Sequence, residues 1–326
     1  MMERELAEVL IGESNVMRNV RRLILQVAPA RLPVLVQGPT GAGKELVAQA
    51  LHSASGRPGR IVPFNVCAIP DSLFESALFG HVRGAFTGAL HDSAGLLTEG
   101  HRGTVFLDEI SALTVANQVK LLRVIERQEY RPLGAKVDSR SDFRIVTASN
   151  ADLHSLANRG LFREDLVYRL SGVVINVPPL THRPEDIKLL VERFRAESAR
   201  QVGKEVQFAP DAHRLLEEHT WPGNVRELRL TIERAVWLAN ANCVGATELA
   251  AIIHQHECGA GRLAREQVAE RREMLRLLDE EKWDTAALAA RLGTHRATVY
   301  RWMRRLAIEP VAMRRLQTDQ LNERRP

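Results

Sequence analysis

An apolar strand that runs straight into a glycine-rich loop ending in lysine, with a helical pattern directly behind it, leaves few folds open to a chain. Here Val34-Leu35-Val36 leads into Gly38-Pro39-Thr40-Gly41-Ala42-Gly43-Lys44, and 44–54 carries helical spacing. Such a loop turns backbone N–H groups and a helix N-terminus toward bound phosphates, while Lys44 reaches the β and γ oxygens. The glycine–lysine spacing arises often by chance; the strand–loop–helix setting gives it weight. Position 45 is Glu, where a Ser or Thr hydroxyl ordinarily serves magnesium. The metal must then depend more on phosphates, water and Asp108.

A second element supports the first. Thr104-Val105-Phe106-Leu107 is an apolar strand ending in Asp108-Glu109. That pattern suits Asp108 for Mg2+ and Glu109 for activating an attacking water. A merely acidic strand end is the plain alternative, and the neighbouring phosphate loop weighs against it.

Short β-branched runs alternate with amphipathic stretches through the first half, the pattern of an α/β fold with a wound parallel sheet. Strands are expected at 33–37, 61–66, 104–108, 144–148 and 173–177, and helices at 15–27, 44–54 and 115–128. Val16, Val20, Leu23, Ile24 and Val27 recur at helical spacing in the first helix. After Pro178-Pro179 the β pattern stops, and 183–256 reads as a wholly helical lid. The expected boundaries are an α/β unit over 1–177, a lid over 178–256, a flexible linker at 257–265 around Gly259-Ala260-Gly261, and a helical unit over 266–326.

Between the two phosphate-site elements lies Gly84-Ala85-Phe86-Thr87-Gly88-Ala89. Glycines framing a lone aromatic suit a mobile loop that presents Phe86 and Thr87, since a core strand rarely takes glycine at both ends. A tight turn between helix and strand is the bland alternative.

The C-terminal end is basic. Arg291, Arg296, Arg301, Arg304, Arg305, Arg314 and Arg315 face a single acid, Glu309, between 291 and 315. Residues 285–291, then Leu292-Gly293-Thr294, then 295–306 read as helix, turn, helix. Ala286, Leu288, Ala289 and Leu292 are expected to pack one side, and Val299, Met303 and Leu306 the other. That leaves His295, Arg296, Thr298, Tyr300, Arg301, Arg304 and Arg305 to meet base edges and phosphates of double-stranded DNA. A generic helical hairpin is the alternative. No apolar run approaches the roughly 20 residues needed to cross a bilayer. Three scattered cysteines form no disulfide framework and fit a cytoplasmic protein without a membrane partner.

GPTGAGKE, GAFTGA, VFLDEI, FREDLVYRL and WPGNVREL occur in that order. In these stretches the chain resembles bacterial enhancer-binding proteins, AAA+ ATPase activators of the sigma-54 RNA polymerase, and the likeness runs from Ile11 to Ile308. The resemblance implies an AAA+ P-loop NTPase with a parallel sheet, a helical lid and a C-terminal all-α, Fis-type helix-turn-helix domain. It also softens the departure at Glu45, which is usual in that family. It implies ATP and Mg2+ as ligands, sigma-54 and its polymerase as partners, and a homo-oligomeric ring, a hexamer by family analogy. The 84–89 loop would grip the sigma factor, with a second loop around Arg131-Pro132-Leu133-Gly134 beside it. Asn65 would be the switch that holds Glu109 from the water, Asn150 the first sensor and Arg226 the second. Arg163 and Arg169 would reach into the neighbouring subunit's site, although an ion pair with a nearby acid also accounts for Arg163. Asn224 is expected to cap the following helix, with Glu227 completing a capping box.

Two departures stand close to the catalytic elements. His101-Arg102-Gly103 replaces the usual Asp-Gly-Gly, and Asn65-Val66-Cys67 replaces Asn-Cys-Ala. The chain also starts almost at the ATPase domain, so control is expected from a separate regulatory protein or from the amount of protein made. Two other functions share many of these features: a different AAA+ machine such as a helicase or unfoldase, and a passive DNA-binding repressor that retains an ATPase fold.

Overall fold

The computed structural model describes residues 3–281, 283–306 and 308; the side chains at 256–269, 271–272, 297 and 304–305 lie outside that description. Two compact units emerge, 1–249 and 250–326.

The first unit begins with α1 (Glu3–Val9) and α2 (Asn15–Val27), followed by β1 (Val34–Gln37), α3 (Lys44–Ala54) and β2 (Ile61–Asn65). Then come α4 (Asp71–Phe79), α5 (Gly95–Glu99), β3 (Thr104–Asp108), α6 (Val115–Arg127) and a small hairpin of β4 (Glu129–Tyr130) and β5 (Ser139–Arg140). β6 (Arg144–Ser149), α7 (Leu153–Asn158), α8 (Glu164–Leu170) and β7 (Val173–Asn176) complete the α/β part. The sheet is parallel, in the order β2-β3-β6-β1-β7.

Successive strand side chains point to opposite faces, so each buried strand feeds two cores. Val34 and Val36 join α1, α2 and α3 on one face, while Leu35 joins α4, α6 and α8 on the other. On β3, Phe106 belongs to the first face and Val105 and Leu107 to the second. Helices on both faces explain why these strands read as continuous apolar runs. The same order brings the carboxyl ends of β1, β6, β3 and β2 to one sheet edge. Gln37 pairs with Ser149 and Asn65 with Asp108. Ligands of open parallel sheets bind at that edge.

The lid comprises α9 (Glu185–Val202), α10 (Pro210–Glu218) and α11 (Asn224–Leu238). It is not wholly helical as its sequence suggests. β8 (Gln207–Phe208) pairs in parallel with β9 (Cys243–Val244). Each strand is two residues long, too short to show a period, and is held by burial of Val206, Phe208 and Val244.

The linker at 257–265 is also revised. A single helix, α12 (Ala246–Glu280), runs through Gly259-Ala260-Gly261. Glycine inside a helix costs only about 1 kcal/mol relative to alanine, and the Ala, Leu, Arg and Glu residues around it are strong helix formers.

In the second unit, α13 (Thr285–Arg291) and α14 (Arg296–Arg305) pack over Leu278, Leu288, Val299 and Met303. Ala289 and Leu306 are buried as expected, whereas Ala286 and Leu292 are exposed. Leu292 forms the C-cap of α13 and sits at the turn, past the last residue that the helix can aim inward. Among the described residues no helix is long and apolar enough to cross a membrane.

Candidate active site and DNA-binding element

The phosphate loop folds as its glycines require. Gly41 and Gly43 adopt φ of 77° and 108°, a region that side chains resist. Lys44 opens α3 and turns its ammonium back over the loop, donating to the carbonyl oxygens of Gly38 at 2.9 Å and Pro39 at 3.2 Å. Burial pushes its pKa down, Glu109 and then Asp108 pull it up, and Arg226 adds to the lowering. The lysine, both carboxylates and the lid arginine therefore share one site.

Asp108 ends β3, and Glu109 follows in a left-handed conformation at φ 54°. The Glu109 N–H donates to Asp108 Oδ1 at 2.9 Å. Among the described residues no donor reaches the other Asp108 oxygen, which suits a hard divalent cation such as Mg2+. Glu45 supplies no hydroxyl; its carboxylate accepts from Gln49 at 3.4 Å. Asn65 lies across from Asp108, but its Oδ1 accepts from the Cys67 N–H at 2.8 Å. The Cys67 thiol is pushed up by burial and then by Glu109 and Asp108, so the altered Asn-Val-Cys segment borders the acidic end. Asn150 follows β6 and donates to Thr40 Oγ1 at 3.4 Å.

The lid closes on this loop. Arg226 N–H donates to the Gly41 carbonyl at 3.2 Å, and a Cβ added at Gly41 would lie 2.2 Å from the Gly223 oxygen. Asn224 does not cap α11. Gly223 occupies the cap position, and Asn224 is the first helical residue at φ 54°. Its buried amide instead donates to the Thr40 carbonyl at 3.0 Å and accepts from the Leu180 N–H at 2.8 Å. Glu227 keeps the returning half of the capping box, accepting from the Gly223 N–H at 2.7 Å. Sequence spacing alone could not separate these two uses of an asparagine.

Residues 84–89 form an exposed turn rather than a strand. Gly84 and Gly88 have φ of 82° and 103° with open space beside them, and Gly84 N–H donates to the Ala89 carbonyl at 2.9 Å. Phe86 and Thr87 are exposed at the tip, Ala85 is half-buried and Ala89 buried. The Phe86 ring meets His81 edge-on at 5.0 Å between centroids. The second loop does lie alongside: Val82 N–H donates to the Leu133 carbonyl at 3.0 Å.

Arg163 precedes α8 and pairs with Asp165, so the local ion pair considered from sequence is present. Its backbone N–H donates to Gln118 Oε1 at 2.8 Å. Arg169 sits near the other end of the same helix and lines a cavity with Arg31, Gln128 and Phe143.

Comparison with known proteins adds a decisive match. The sigma-54 interaction domain profile fits residues 10–176. The chain belongs to the sigma-54 interaction domain family. An AAA+ ATPase lid domain follows at 181–265 and a homeodomain-like domain at 265–310. The formate hydrogenlyase transcriptional activator of Salmonella typhimurium is 40% identical over 311 residues, covering 93% of this chain and 45% of that protein. The response regulator protein PilR of Pseudomonas aeruginosa is 38% identical over 312 residues, covering 92% and 70%. Among solved structures, NtrX from Brucella abortus in complex with ADP superposes with a TM-score of 0.70 at 32% identity, covering 94% of this chain and 72% of that one. The chain spans about half the length of the first curated relative. The sigma-54 interaction domain therefore has the AAA+ ATPase fold and continues into a lid and a helix-turn-helix.

In this family member the helix-turn-helix is built by local chemistry. Asp284 caps α13, accepting from the N–H groups of Ala286 and Ala287 at 2.8 and 3.2 Å. Gly293 makes the turn at φ 61°. On α14, Arg296 donates to Thr285 Oγ1 at 3.0 Å and to the Tyr300 hydroxyl at 3.3 Å, with its guanidinium 5.6 Å over the Tyr300 ring. The pair is thus organised within the unit as well as exposed. His295 and Arg301 are exposed and Thr298 is half-buried. The Arg304 and Arg305 side chains lie outside the described residues.

Proposed function

We propose that this protein is an ATP-hydrolysing transcription activator that binds DNA upstream of a promoter and converts the closed complex of sigma-54 RNA polymerase to the open one. It acts in the cytoplasm as a homo-oligomeric ring, a hexamer, formed by its ATPase domains. The observation that carries this reading is the gathering of Lys44, Asp108, Glu109, Asn150 and Arg226 at one sheet edge, in a domain that also raises an exposed Phe86-Thr87 tip.

The loop from Gly38 to Lys44, with Glu45 in the first turn of α3, holds the ATP phosphates. Lys44 leaves its two loop carbonyls to meet the β and γ oxygens. Asp108 would hold Mg2+, which would supply neutralisation of the phosphate charge. Glu109 orients and deprotonates the attacking water. Asn65, opposite Asp108, exchanges its Cys67 contact for Glu109 as the site cycles. Asn150 and Arg226 read the state of the terminal phosphate. Arg163 and Arg169 enter the adjoining subunit's site. Residues Gly84, Ala85, Phe86, Thr87, Gly88 and Ala89 bear on the sigma factor, and His295, Arg296, Thr298, Tyr300, Arg301, Arg304 and Arg305 contact DNA.

The test is open-complex formation by purified protein on a sigma-54 promoter. Lys44→Ala is expected to lose ATPase and promoter opening together. Thr87→Ala is expected to keep ATPase and lose promoter opening. Promoter opening that survives Thr87→Ala would refute the sigma contact assigned to this loop, and wild-type ATPase without any promoter opening would leave a different AAA+ machine. Normal regulation by Lys44→Ala would leave a passive repressor.

A further inference from the structure

Three successive carbonyls of the phosphate loop accept hydrogen bonds from the lid. Thr40 O takes the Asn224 side-chain amide at 3.0 Å, Gly41 O the Arg226 backbone N–H at 3.2 Å, and Ala42 O the Arg183 guanidinium at 3.0 Å. Lys44 holds the two preceding carbonyls, Gly38 and Pro39. Every carbonyl from Gly38 to Ala42 is therefore fixed by a protein donor. In a planar trans peptide the C=O and the following N–H point opposite ways, so holding a carbonyl also aims the next N–H. Pinning Thr40 O and Ala42 O thereby presents the N–H groups of Gly41 and Gly43 on the opposite side. Neighbouring loop N–H groups left available in this way can serve as an anion nest.

Two of the donors occupy costly positions. Arg183 is 2% exposed. Among the described residues its Nε has no partner, and its hydrogen bonds go to Met17 Sδ and Ala42 O, with none to a carboxylate. Nearby Asp186 directs its oxygens to the Glu13 and Ser14 N–H groups and the Ser14 hydroxyl instead. Burying a guanidinium so poorly satisfied is unfavourable, and among the described residues its oxygen acceptor is the Ala42 carbonyl of the phosphate loop. Asn224 sits in a left-handed conformation that most non-glycine residues avoid, and this places its amide between Thr40 and Leu180.

We propose that Arg183 and Asn224 are positioning residues that clamp the phosphate loop into its anion-binding shape from the lid. The inference rests on the reading that this loop binds ATP. Lid placement then sets nucleotide affinity, and by linkage bound nucleotide sets lid placement.

The experiment uses the full chain. Asn224→Asp keeps the acceptor for Leu180 but loses the donor to Thr40. Arg183→Met fills the volume without a donor, and Arg183→Lys restores one. Hydrogen exchange of the nucleotide-free 38–44 segment is measured beside the affinity for a fluorescent ADP derivative, with melting curves confirming the fold. Asn224→Asp and Arg183→Met are expected to accelerate loop exchange and weaken ADP binding by about tenfold, the scale of one lost hydrogen bond. The KM for ATP should rise by more than kcat falls. Arg183→Lys should stay within about threefold of wild type, as a retained donor predicts. Loop exchange that is unchanged in folded Asn224→Asp and Arg183→Met overturns the clamp. A wild-type protein that ignores ATP refutes the proposed function instead, and loop exchange still decides the clamp.

Discussion

The Arg163 guanidinium forks around the Asp165 carboxylate, with Nε donating to Oδ1 at 3.1 Å and Nη2 to Oδ2 at 2.7 Å. That hydrogen bond holds the Asp165 carboxyl below its ordinary range. To act on a neighbouring nucleotide, Arg163 must exchange this carboxylate for a phosphate. Arg163→Ala is expected to lower ATPase by about 10³-fold, the loss typical of an arginine finger, while leaving the fold intact. Mixing it with Lys44→Ala subunits should restore part of the activity, because each contributes the group that the other lacks. A mixture no more active than its components would show that the finger is not supplied across subunits.

Arg102 occupies a position where the family usually carries glycine. It adopts φ 56°, with its N–H bonded to the Asp142 carbonyl at 2.6 Å and its own carbonyl accepting from Gly59. A left-handed non-glycine residue costs about 1–2 kcal/mol, partly offset by glycine's greater freedom when unfolded. Arg102→Gly is therefore expected to stabilise the first unit by up to about 1 kcal/mol, read as a higher urea midpoint. An unchanged or lower midpoint would show that the arginine is not strained.

Asp142 and Arg57 predict a pH dependence. Arg57 Nη2 meets Asp142 Oδ1 at 2.8 Å and, chiefly through that hydrogen bond, lowers the carboxyl pKa below its ordinary 3.8. A carboxylate with a depressed folded-state pKa stabilises above its unfolded value and loses that stabilisation as pH falls through the folded one. Asp142 is partly exposed, so the effect is under about 1 kcal/mol. Asp142→Asn should be less stable at pH 7 and match wild type once acid protonates Asp142 in both states. A gap that persists in acid would assign the loss to geometry rather than charge.

On the helix-turn-helix, Arg301 is exposed and lies about 1.4 turns beyond Arg296 on the same helix. As a phosphate contact, it should contribute about one released counterion. Arg301→Ala is expected to weaken binding across sequences and to reduce the slope of log affinity against log salt by about one. A sequence-dependent loss with an unchanged slope would place Arg301 on a base edge.

The α/β part was legible from sequence because its strands are buried on both faces and its loops carry distinctive glycines. Strands β1, β2, β3, β6 and β7 fall within a residue of their expected limits, and helices α2 and α3 match theirs. Legibility failed where one residue type serves two purposes. Asn224 has the composition of a cap, yet a left-handed backbone redirects it to Thr40. Gly259 and Gly261 resemble a linker, yet helix-forming neighbours carry α12 through them. Arg183 gave no signal at all, because its partner is a backbone carbonyl more than a hundred residues away. Such a partner leaves no side-chain pattern to read.

Gly134 touches Ala85 so closely that a Cβ there would lie 2.9 Å from the alanine methyl, while Val82 and Leu133 share a backbone bond a few residues away. The fingertip and its neighbour are thereby yoked. Neither can swing without dragging the other, so the push on the sigma factor proposed above would come from both loops together, as the stroke of a single, broader piston.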